Sequence, residues 1–117
     1  MKKILVANDT KSIYDLIVEY LKGHEVIWAN NGEIAVELYK KEKPDIVLMD
    51  ILMPILNGVE AIKKIKEIDN DAIIIVLSGI ENDDVVEEAF YSGAEKYIPL
   101  PITKKELVSV IEDFFPL

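Results

Sequence analysis

Short runs of apolar residues alternate along the chain with longer segments in which apolar residues recur every three or four positions. The short runs lack the polar alternation of a strand that is solvated on one face, which is typical of parallel strands covered on both faces. Five such runs are present, at residues 4–7 (ILVA), 26–29 (VIWA), 46–49 (IVLM), 72–77 (AIIIVL) and 97–98 (YI). We predict a β-strand at each of them.

Between these runs, five segments carry apolar residues at helical spacing. The spaced positions are Ile13, Leu16, Ile17, Tyr20 and Leu21; Ile34, Ala35 and Leu38; Ile62, Ile65 and Ile68; Val85, Val86, Ala89 and Phe90; and Leu107, Val110, Ile111 and Phe114. Gly23 stands where the first helix needs a C-terminal cap, and Pro44 ends the second helix. Thr103 and Glu106 form a capping box for the fifth helix.

Strict alternation of five strands and five helices predicts a doubly wound α/β domain with a parallel sheet and right-handed crossovers. The 117 residues suffice for one domain and are too few for two, so we expect a single domain over residues 1–117. Pro99 lacks an N–H group and therefore fits only an edge strand, so the fifth strand is expected at an edge of the sheet.

Composition and charge narrow the classes of function. Thirteen basic and 22 acidic residues give a net charge of -9, which would repel the phosphate backbone of a nucleic acid. No apolar run approaches the roughly 18 residues of a membrane span. The apolar part of the N-terminal MKKILVAND is too short for a secretory signal and the chain has no cysteine, so we expect a cytoplasmic protein.

Polar residues follow the predicted strands at their carboxyl ends, where open parallel sheets bind their ligands. Strand 1 ends at Asn8 and Asp9, strand 3 at Asp50, and strand 4 at Ser78. If strands 1 and 3 are neighbours, two carboxylates meet in one crevice and repel each other unless they share a cation. Carboxylate oxygens suit Mg²⁺, and a carboxylate can also attack a phosphoryl group to give an aspartyl phosphate.

Simpler roles are open for the same residues. Asp and Asn at strand ends commonly cap the following helix, which is the favoured interpretation for Asp9 alone and as good as a site role for Ser78. Capping does not suit Asp50, because no helix is predicted before about Gly58. Tyr97 fits a packed aromatic residue of an edge strand.

Four blocks resemble the receiver domain of two-component response regulators, and together they span essentially the whole chain. Residues 4–10 (ILVANDT) resemble its first strand with the acidic pocket, and residues 45–58 (DIVLMDILMPILNG) resemble its phosphoacceptor strand and loop. Residues 72–79 (AIIIVLSG) resemble the strand that ends in a hydroxyl residue, and residues 93–101 (GAEKYIPLP) the fifth strand with its aromatic residue. The resemblance implies a flavodoxin-like sheet with strand order 2-1-3-4-5.

Residue by residue, the resemblance makes Asp50 the phosphoacceptor and Asp9 an acid that binds Mg²⁺ together with Asp50. Leu52 occupies the position whose backbone carbonyl ligates the metal. Ser78 matches the hydroxyl that bonds a phosphoryl oxygen, and Tyr97 matches the aromatic residue that changes rotamer on activation.

Two positions depart from the family's pattern. Asn8 replaces a second acid and would reach the metal only through a water molecule, and Leu100 replaces the lysine that salt-bridges the phosphoryl group. The family's usual three acids and one lysine carry a net charge of -2, and Asp9 and Asp50 alone carry the same net charge in this chain. We therefore expect metal binding to persist. The lost charge-assisted contact is worth roughly 1.5 to 3 kcal/mol. Lys96 lies too far back along the strand to replace it, and Lys11 is a weak candidate.

At the same place, the resemblance implies a cis peptide bond between Leu100 and Pro101, with the fifth helix starting near Ile102. A cis bond before proline is only about 0.5 to 1 kcal/mol less favourable than trans, so packing can hold it.

Two classes of function follow, and a third is disfavoured. The first is a receiver that takes a phosphoryl group from a histidine kinase or phosphotransfer protein onto Asp50 and signals to a downstream protein, with switching weakened by Leu100. Its face of helix 4, strand 5 and helix 5 would carry the signal and could form a homodimer. Such a protein is not an enzyme beyond Mg²⁺-dependent self-phosphorylation and slow autodephosphorylation.

The second class is a receiver-like interaction module that works without phosphorylation, for which Leu100 is the direct argument. A flavodoxin-type cofactor carrier is disfavoured, because residues 8–12 (NDTKS) place an acid where a phosphate-binding loop needs glycine and hydroxyl residues.

Overall fold

Five parallel strands form one sheet in a computed structural model that describes residues 1–115. The strands are β1 (Lys3–Ala7), β2 (Glu25–Ala29), β3 (Ile46–Met49), β4 (Ile74–Ser78) and β5 (Lys96–Pro99). They lie in the order β2-β1-β3-β4-β5, which confirms both the parallel α/β class and the strand order that the resemblance implies. Pro99 lies on the edge strand β5, as expected.

Within the described residues, five helices cover the two faces of this sheet. They are α1 (Lys11–Tyr20), α2 (Gly32–Glu42), α3 (Gly58–Ile68), α4 (Asp83–Ser92) and α5 (Lys104–Phe114). One apolar core lies under α2, α3 and α4, and a second lies under α1 and α5. The strands between the two cores are buried on both faces, which explains why their sequences show no polar alternation.

Local sequence fixes where most helices begin. The side chains of Asn31, Asn57 and Asn82 accept hydrogen bonds from the first turns of α2, α3 and α4. The predicted capping box of α5 is present, with Thr103 and Glu106 bonding each other's backbone N–H groups. Each bond satisfies an N–H group that has no partner inside the helix.

Some predicted apolar positions are more exposed than their spacing suggests. They are Leu16 (49% exposed), Ile34 (40%), Ile68 (43%) and Phe90 (46%). A helix on a sheet buries only the stripe that points at the strands, and residues on the flanks of that stripe keep contact with solvent. In α2 the buried stripe runs through Val36 and Tyr39 and leaves Ile34 at its edge.

Most strand boundaries agree with the predictions to within one residue, and three boundaries of strands or helices differ by more. Strand β4 begins at Ile74 and not at residue 72, because the N–H group of Ala72 bonds Asp69 in a turn. Helix α1 ends at Tyr20, and Gly23 lies in the following turn with φ of 97°. Helix α5 starts at Lys104, two residues later than expected.

Lys66, near the end of α3, contacts residues before β4 and at the end of α4, at the amino edge of the sheet. Its ammonium group donates to the carbonyl oxygen of Ala72 at 2.6 Å and pairs with Glu95 at 3.5 Å. Its side chain runs against Gly93, where an added Cβ atom would lie 2.8 Å from it. Gly93 is the C-cap of α4 and has a φ of 124°, which residues with a side chain rarely adopt. The end of α3, the turn before β4 and the end of α4 therefore meet at the Lys66 side chain.

None of the helices within residues 1–115 is long and apolar enough to cross a membrane.

Candidate functional site

Strand ends bring the predicted polar residues together at the carboxyl edge of the sheet. β1 and β3 are neighbours, and the N–H group of Asp50 donates to the carbonyl oxygen of Ala7 at 2.9 Å. Asp9 follows β1 closely enough for its charge to act on Asp50. Ser78 ends β4, the next strand along, and its hydroxyl lies close enough to influence the Asp50 carboxyl as well.

Asp50 is a half-buried acid whose charge is only partly stabilised. Burial raises the pKa of its carboxyl above the ordinary value. The hydrogen bond from the N–H group of Ile51, at 2.8 Å, and the nearby hydroxyl of Ser78 lower this pKa, while the negative charge of Asp9 raises it. A carboxylate whose ionisation is disfavoured by a second carboxylate close by is a suitable place for a cation.

The loop after Asp50 is held in one shape by backbone hydrogen bonds. The N–H group of Gly58 donates to Ile51 at 2.8 Å, and that of Gly32 donates to Leu56 at 3.0 Å. Gly58 lies so close to the strand end that a Cβ atom there would overlap the carbonyl oxygen of Asp50. The loop therefore fixes the position of the exposed Leu52 relative to Asp50.

Inside the same loop, Ile55 adopts a strained conformation. Its φ is 71°, and the N–H group of Leu56 donates across it to Pro54 at 2.7 Å, which closes a γ-turn. A positive φ is unusual for a β-branched residue, and the Ile55 side chain is 74% exposed.

Ser78 and Tyr97 both bond to residue 80, just after β4. The buried Ser78 hydroxyl accepts from the N–H group of Ile80 at 3.2 Å, and the Tyr97 hydroxyl donates to the Ile80 carbonyl at 2.7 Å. Burial raises the pKa of Tyr97, and the nearby charge of Asp50 adds to this effect. The N-cap of α4 is Asn82, so the interpretation of Ser78 as a helix cap is wrong.

Asp9 is exposed and does not cap α1 either, whose N-cap is Thr10. Asn8 is 2% exposed, and its side-chain oxygen accepts the N–H group of Thr10 at 2.8 Å. The backbone oxygen of Asn8 accepts the indole N–H of Trp28 at 2.9 Å. Sequence reasoning gave Trp28 no role, although its place near the end of the strand beside β1 puts it within reach of this loop.

Leu100 lies at the end of β5, with its N–H group bonded to the carbonyl oxygen of Ser78 at 3.0 Å. Its side chain packs against the core under α1 and α5. It lines an apolar groove of about 300 Å³ together with Ile13, Leu16, Ile17, Tyr20, Pro101 and Ile102. The Leu100–Pro101 peptide bond is cis, as expected. An apolar side chain thus stands at the position where the resemblance would place a cation.

The donor groups at this edge suit a hard divalent cation that keeps several water molecules. Among residues 1–115, no three His, Cys, Asp or Glu side chains are grouped so as to hold a metal ion, so a cation held by Asp9 and Asp50 would need further oxygen ligands from other groups or from water. Mg²⁺ accepts this arrangement, because it binds through one or two carboxylates and remains hydrated.

Comparison with known proteins gives consistent matches over nearly the whole chain. The family profile described as "Response regulator receiver domain" matches residues 4–112. The chemotaxis protein CheY of Halobacterium salinarum is 39% identical over 114 residues, which cover 96% of this chain and 95% of that protein. CheY of Thermotoga maritima is 40% identical over 113 residues, with 94% of each chain covered. The CheX–CheY–BeF3–Mg²⁺ complex from Borrelia burgdorferi matches with a TM-score of 0.91 at 26% identity, covering 98% of this chain and 90% of that chain.

Proposed function

Because the chain belongs to the response regulator receiver domain family of two-component systems, we propose that it accepts a phosphoryl group on Asp50 with the help of Mg²⁺. The observation that carries the proposal is the meeting of Asp50 and Asp9 at the ends of adjacent strands, where the charge of Asp9 disfavours ionised Asp50. A nucleophile and a cation site in one crevice are what phosphoryl transfer to a carboxylate requires.

Each residue of the site has a role in this reaction. A carboxylate oxygen of Asp50 attacks the phosphorus of the donor, so that an O–P bond forms while the bond to the leaving group breaks and its electron pair goes to that group. Asp9, Asp50 and the Leu52 carbonyl would hold Mg²⁺, with Asn8 reaching it through water. When bound, Mg²⁺ neutralises the charge of the phosphoryl oxygens. The Ser78 hydroxyl would donate to one of these oxygens.

The phosphoryl donor in this proposal is a histidine kinase or a phosphotransfer protein, and the signal passes to a downstream protein. The surface of α4, β5 and α5 carries the signal, because Tyr97 joins β5 to the loop before α4. If the Ser78 hydroxyl turns toward the phosphoryl group, it loses the hydrogen bond that it accepts from the Ile80 N–H group. The loop that Tyr97 contacts is then free to move. We also propose that two copies of the protein can form a homodimer through the same surface.

Leu100 favours a second function, a receiver-like interaction module that works without phosphorylation. Its apolar side chain packs beside α1 and offers the phosphoryl group no charge.

Intact-mass measurement separates the two functions. The protein is incubated with Mg²⁺ and a small phosphodonor such as acetyl phosphate, and its mass is compared before and after. Uptake of one phosphoryl group supports the receiver. An unchanged mass under conditions that modify a known receiver would favour the binding module.

Asp9→Ala should abolish Mg²⁺ binding at millimolar concentration, since it removes one of the two carboxylates that would hold the cation. Amide chemical shifts of residues 8, 9 and 50 measure binding during a Mg²⁺ titration. Asp15→Ala is the matched control, because Asp15 is an exposed acid of α1 that pairs with Lys11. Wild-type amide shifts that do not move, or that move equally in Asp9→Ala, would show that Asp9 is not a ligand.

Leu100→Lys should strengthen the conformational response to phosphorylation. A lysine ammonium at this position can bond the phosphoryl group and tie it to β5, which is worth roughly 1.5 to 3 kcal/mol of coupling. The shift of the Ser78 and Tyr97 amide resonances on phosphorylation should therefore grow.

Leu100→Met is the control for Leu100→Lys, because methionine keeps the length and apolar character without the charge. A full shift of Ser78 and Tyr97 already present in the wild type would show that another group, such as Lys11, supplies the tether.

A further inference from the structure

Both peptide groups that flank Asp9 are held by hydrogen bonds, although the Asp9 side chain itself is exposed. The carbonyl oxygen of Asn8 belongs to the peptide group before Asp9 and accepts the Trp28 indole N–H at 2.9 Å. The N–H group of Thr10 belongs to the peptide group after Asp9 and donates to the side-chain oxygen of Asn8 at 2.8 Å. The backbone of Asp9 is therefore fixed on both sides.

The two groups that hold this backbone are themselves held by the fold. Asn8 is buried, and its N–H group donates to the carbonyl oxygen of Ala29 at 2.9 Å, which continues the pairing of β1 with β2. Trp28 lies in β2 opposite Val6, and its ring stacks on Tyr14 of α1 with centroids 4.8 Å apart and planes 19° apart. The sheet and the stacked ring together aim the indole N–H at the Asn8 carbonyl.

We propose that Trp28 and Asn8 are positioning residues for the divalent cation, which they serve by fixing the backbone of Asp9. The inference rests on the proposed function, because it takes Asp9 as a metal ligand. With Asn8 in place of a second acid, Asp9 is the only carboxylate in residues 8–10, which follow β1 directly. A single ligand that is already ordered binds more tightly than a mobile one, because less conformational entropy is lost when the cation arrives.

A purely structural role for Trp28 predicts a different result. It would lower the stability of the protein and leave the Mg²⁺ affinity of the folded form unchanged. A positioning role changes the affinity itself and loosens the backbone around Asp9. The two roles are therefore separated by measuring binding and backbone protection on folded protein.

Trp28→Phe keeps an aromatic ring against Tyr14 and removes the N–H donor. The Mg²⁺ dissociation constant, measured from amide shifts, should rise about five- to tenfold, as expected for the loss of one ordering hydrogen bond. Hydrogen exchange at the Thr10 amide should be faster. The rate of Asp50 modification at saturating Mg²⁺ should stay within about twofold of wild type, while the Mg²⁺ concentration for half-maximal rate rises.

Two substitutions of Asn8 test the hydrogen bond from the Thr10 N–H group to the Asn8 side chain. Asn8→Ala removes the acceptor for the Thr10 N–H group and should weaken Mg²⁺ binding as Trp28→Phe does. Asn8→Ser keeps a hydroxyl oxygen that can accept the same N–H group less well, so its affinity should lie between those of wild type and Asn8→Ala.

Ile27→Val is the control, because Ile27 lies next to Trp28 in β2 and packs against the core under α2, α3 and α4. It should lower stability and leave Mg²⁺ binding unchanged. If Trp28→Phe folds and binds Mg²⁺ as the wild type does, the inference is overturned while the proposed function stands. If Trp28→Phe does not fold, equal binding by Asn8→Ala and wild type overturns it. A wild type that shows no Mg²⁺-dependent shifts overturns both the metal assignment and this inference.

Discussion

Asp50→Asn should abolish phosphoryl uptake from a small donor in the presence of Mg²⁺. The neutral amide is a poor nucleophile, and the residue loses the charge that attracts a cation. The variant should be at least as stable as the wild type, because burial and the charge of Asp9 both disfavour ionised Asp50. Intact mass after incubation with the donor measures uptake, and thermal unfolding confirms that the variant is folded.

Asp45→Asn is the matched control, since Asp45 lies just before β3, at the opposite end of the strand that leads to Asp50. Its carboxylate accepts the N–H group of Lys3 at 2.8 Å, and an amide oxygen can accept the same bond. Uptake should remain at the wild-type level. Modification of Asp50→Asn at an undiminished rate would place the acceptor elsewhere, and peptide mapping would locate it.

Gly58→Ala should destabilise the protein by about 2 to 3 kcal/mol, because the added Cβ atom would overlap the backbone of Asp50 and Ile51. Backbone atoms cannot move aside as the end of a flexible side chain can, so either α3 or the loop must shift. The melting temperature should fall by about 10 °C. Since the overlap is at the Asp50 carbonyl, the amide resonance of Asp50 should also move.

Gly79→Ala is the comparison for Gly58→Ala. Apart from its two chain neighbours, no residue has an atom within 4 Å of where the Cβ of residue 79 would be placed. The free energy of unfolding of Gly79→Ala should stay within about 0.5 kcal/mol of the wild-type value. Equal stability of the two alanine variants would mean that the loop after Asp50 adjusts freely and does not hold the site rigidly.

The fold was largely predictable because its signals are local. Runs of buried branched residues mark the strands, and residues such as Asn57 and Thr103 bond the helix starts that follow them. Exposure of individual apolar residues was less predictable, because it depends on how each helix sits on the sheet. Ile34 and Val36 are both apolar and close in sequence, yet only Val36 points at the core.

The strand-end acids could also be predicted, because a parallel sheet gathers its carboxyl ends at one edge. The strand order that makes β1 and β3 neighbours came from the resemblance to a family and not from the apolar pattern. The contact of Trp28 with Asn8 was beyond local reasoning, since it joins a side chain to a backbone oxygen 20 residues away. The groove that surrounds Leu100 likewise exists only once α1 is packed beside residues 100–102.

Because the Lys66 side chain packs against Gly93, we expect any rotation of α4 to occur about its C-terminal end, which is the end far from the site. The helix has 10 residues and is therefore about 15 Å long. A rotation of roughly 10° about Gly93 would move Asp83 by about 2.5 Å and leave Ser92 almost in place. A protein that senses movement of α4 must therefore contact its first turn, while one that contacts the exposed Tyr91 near the pivot would bind both positions of the helix equally well.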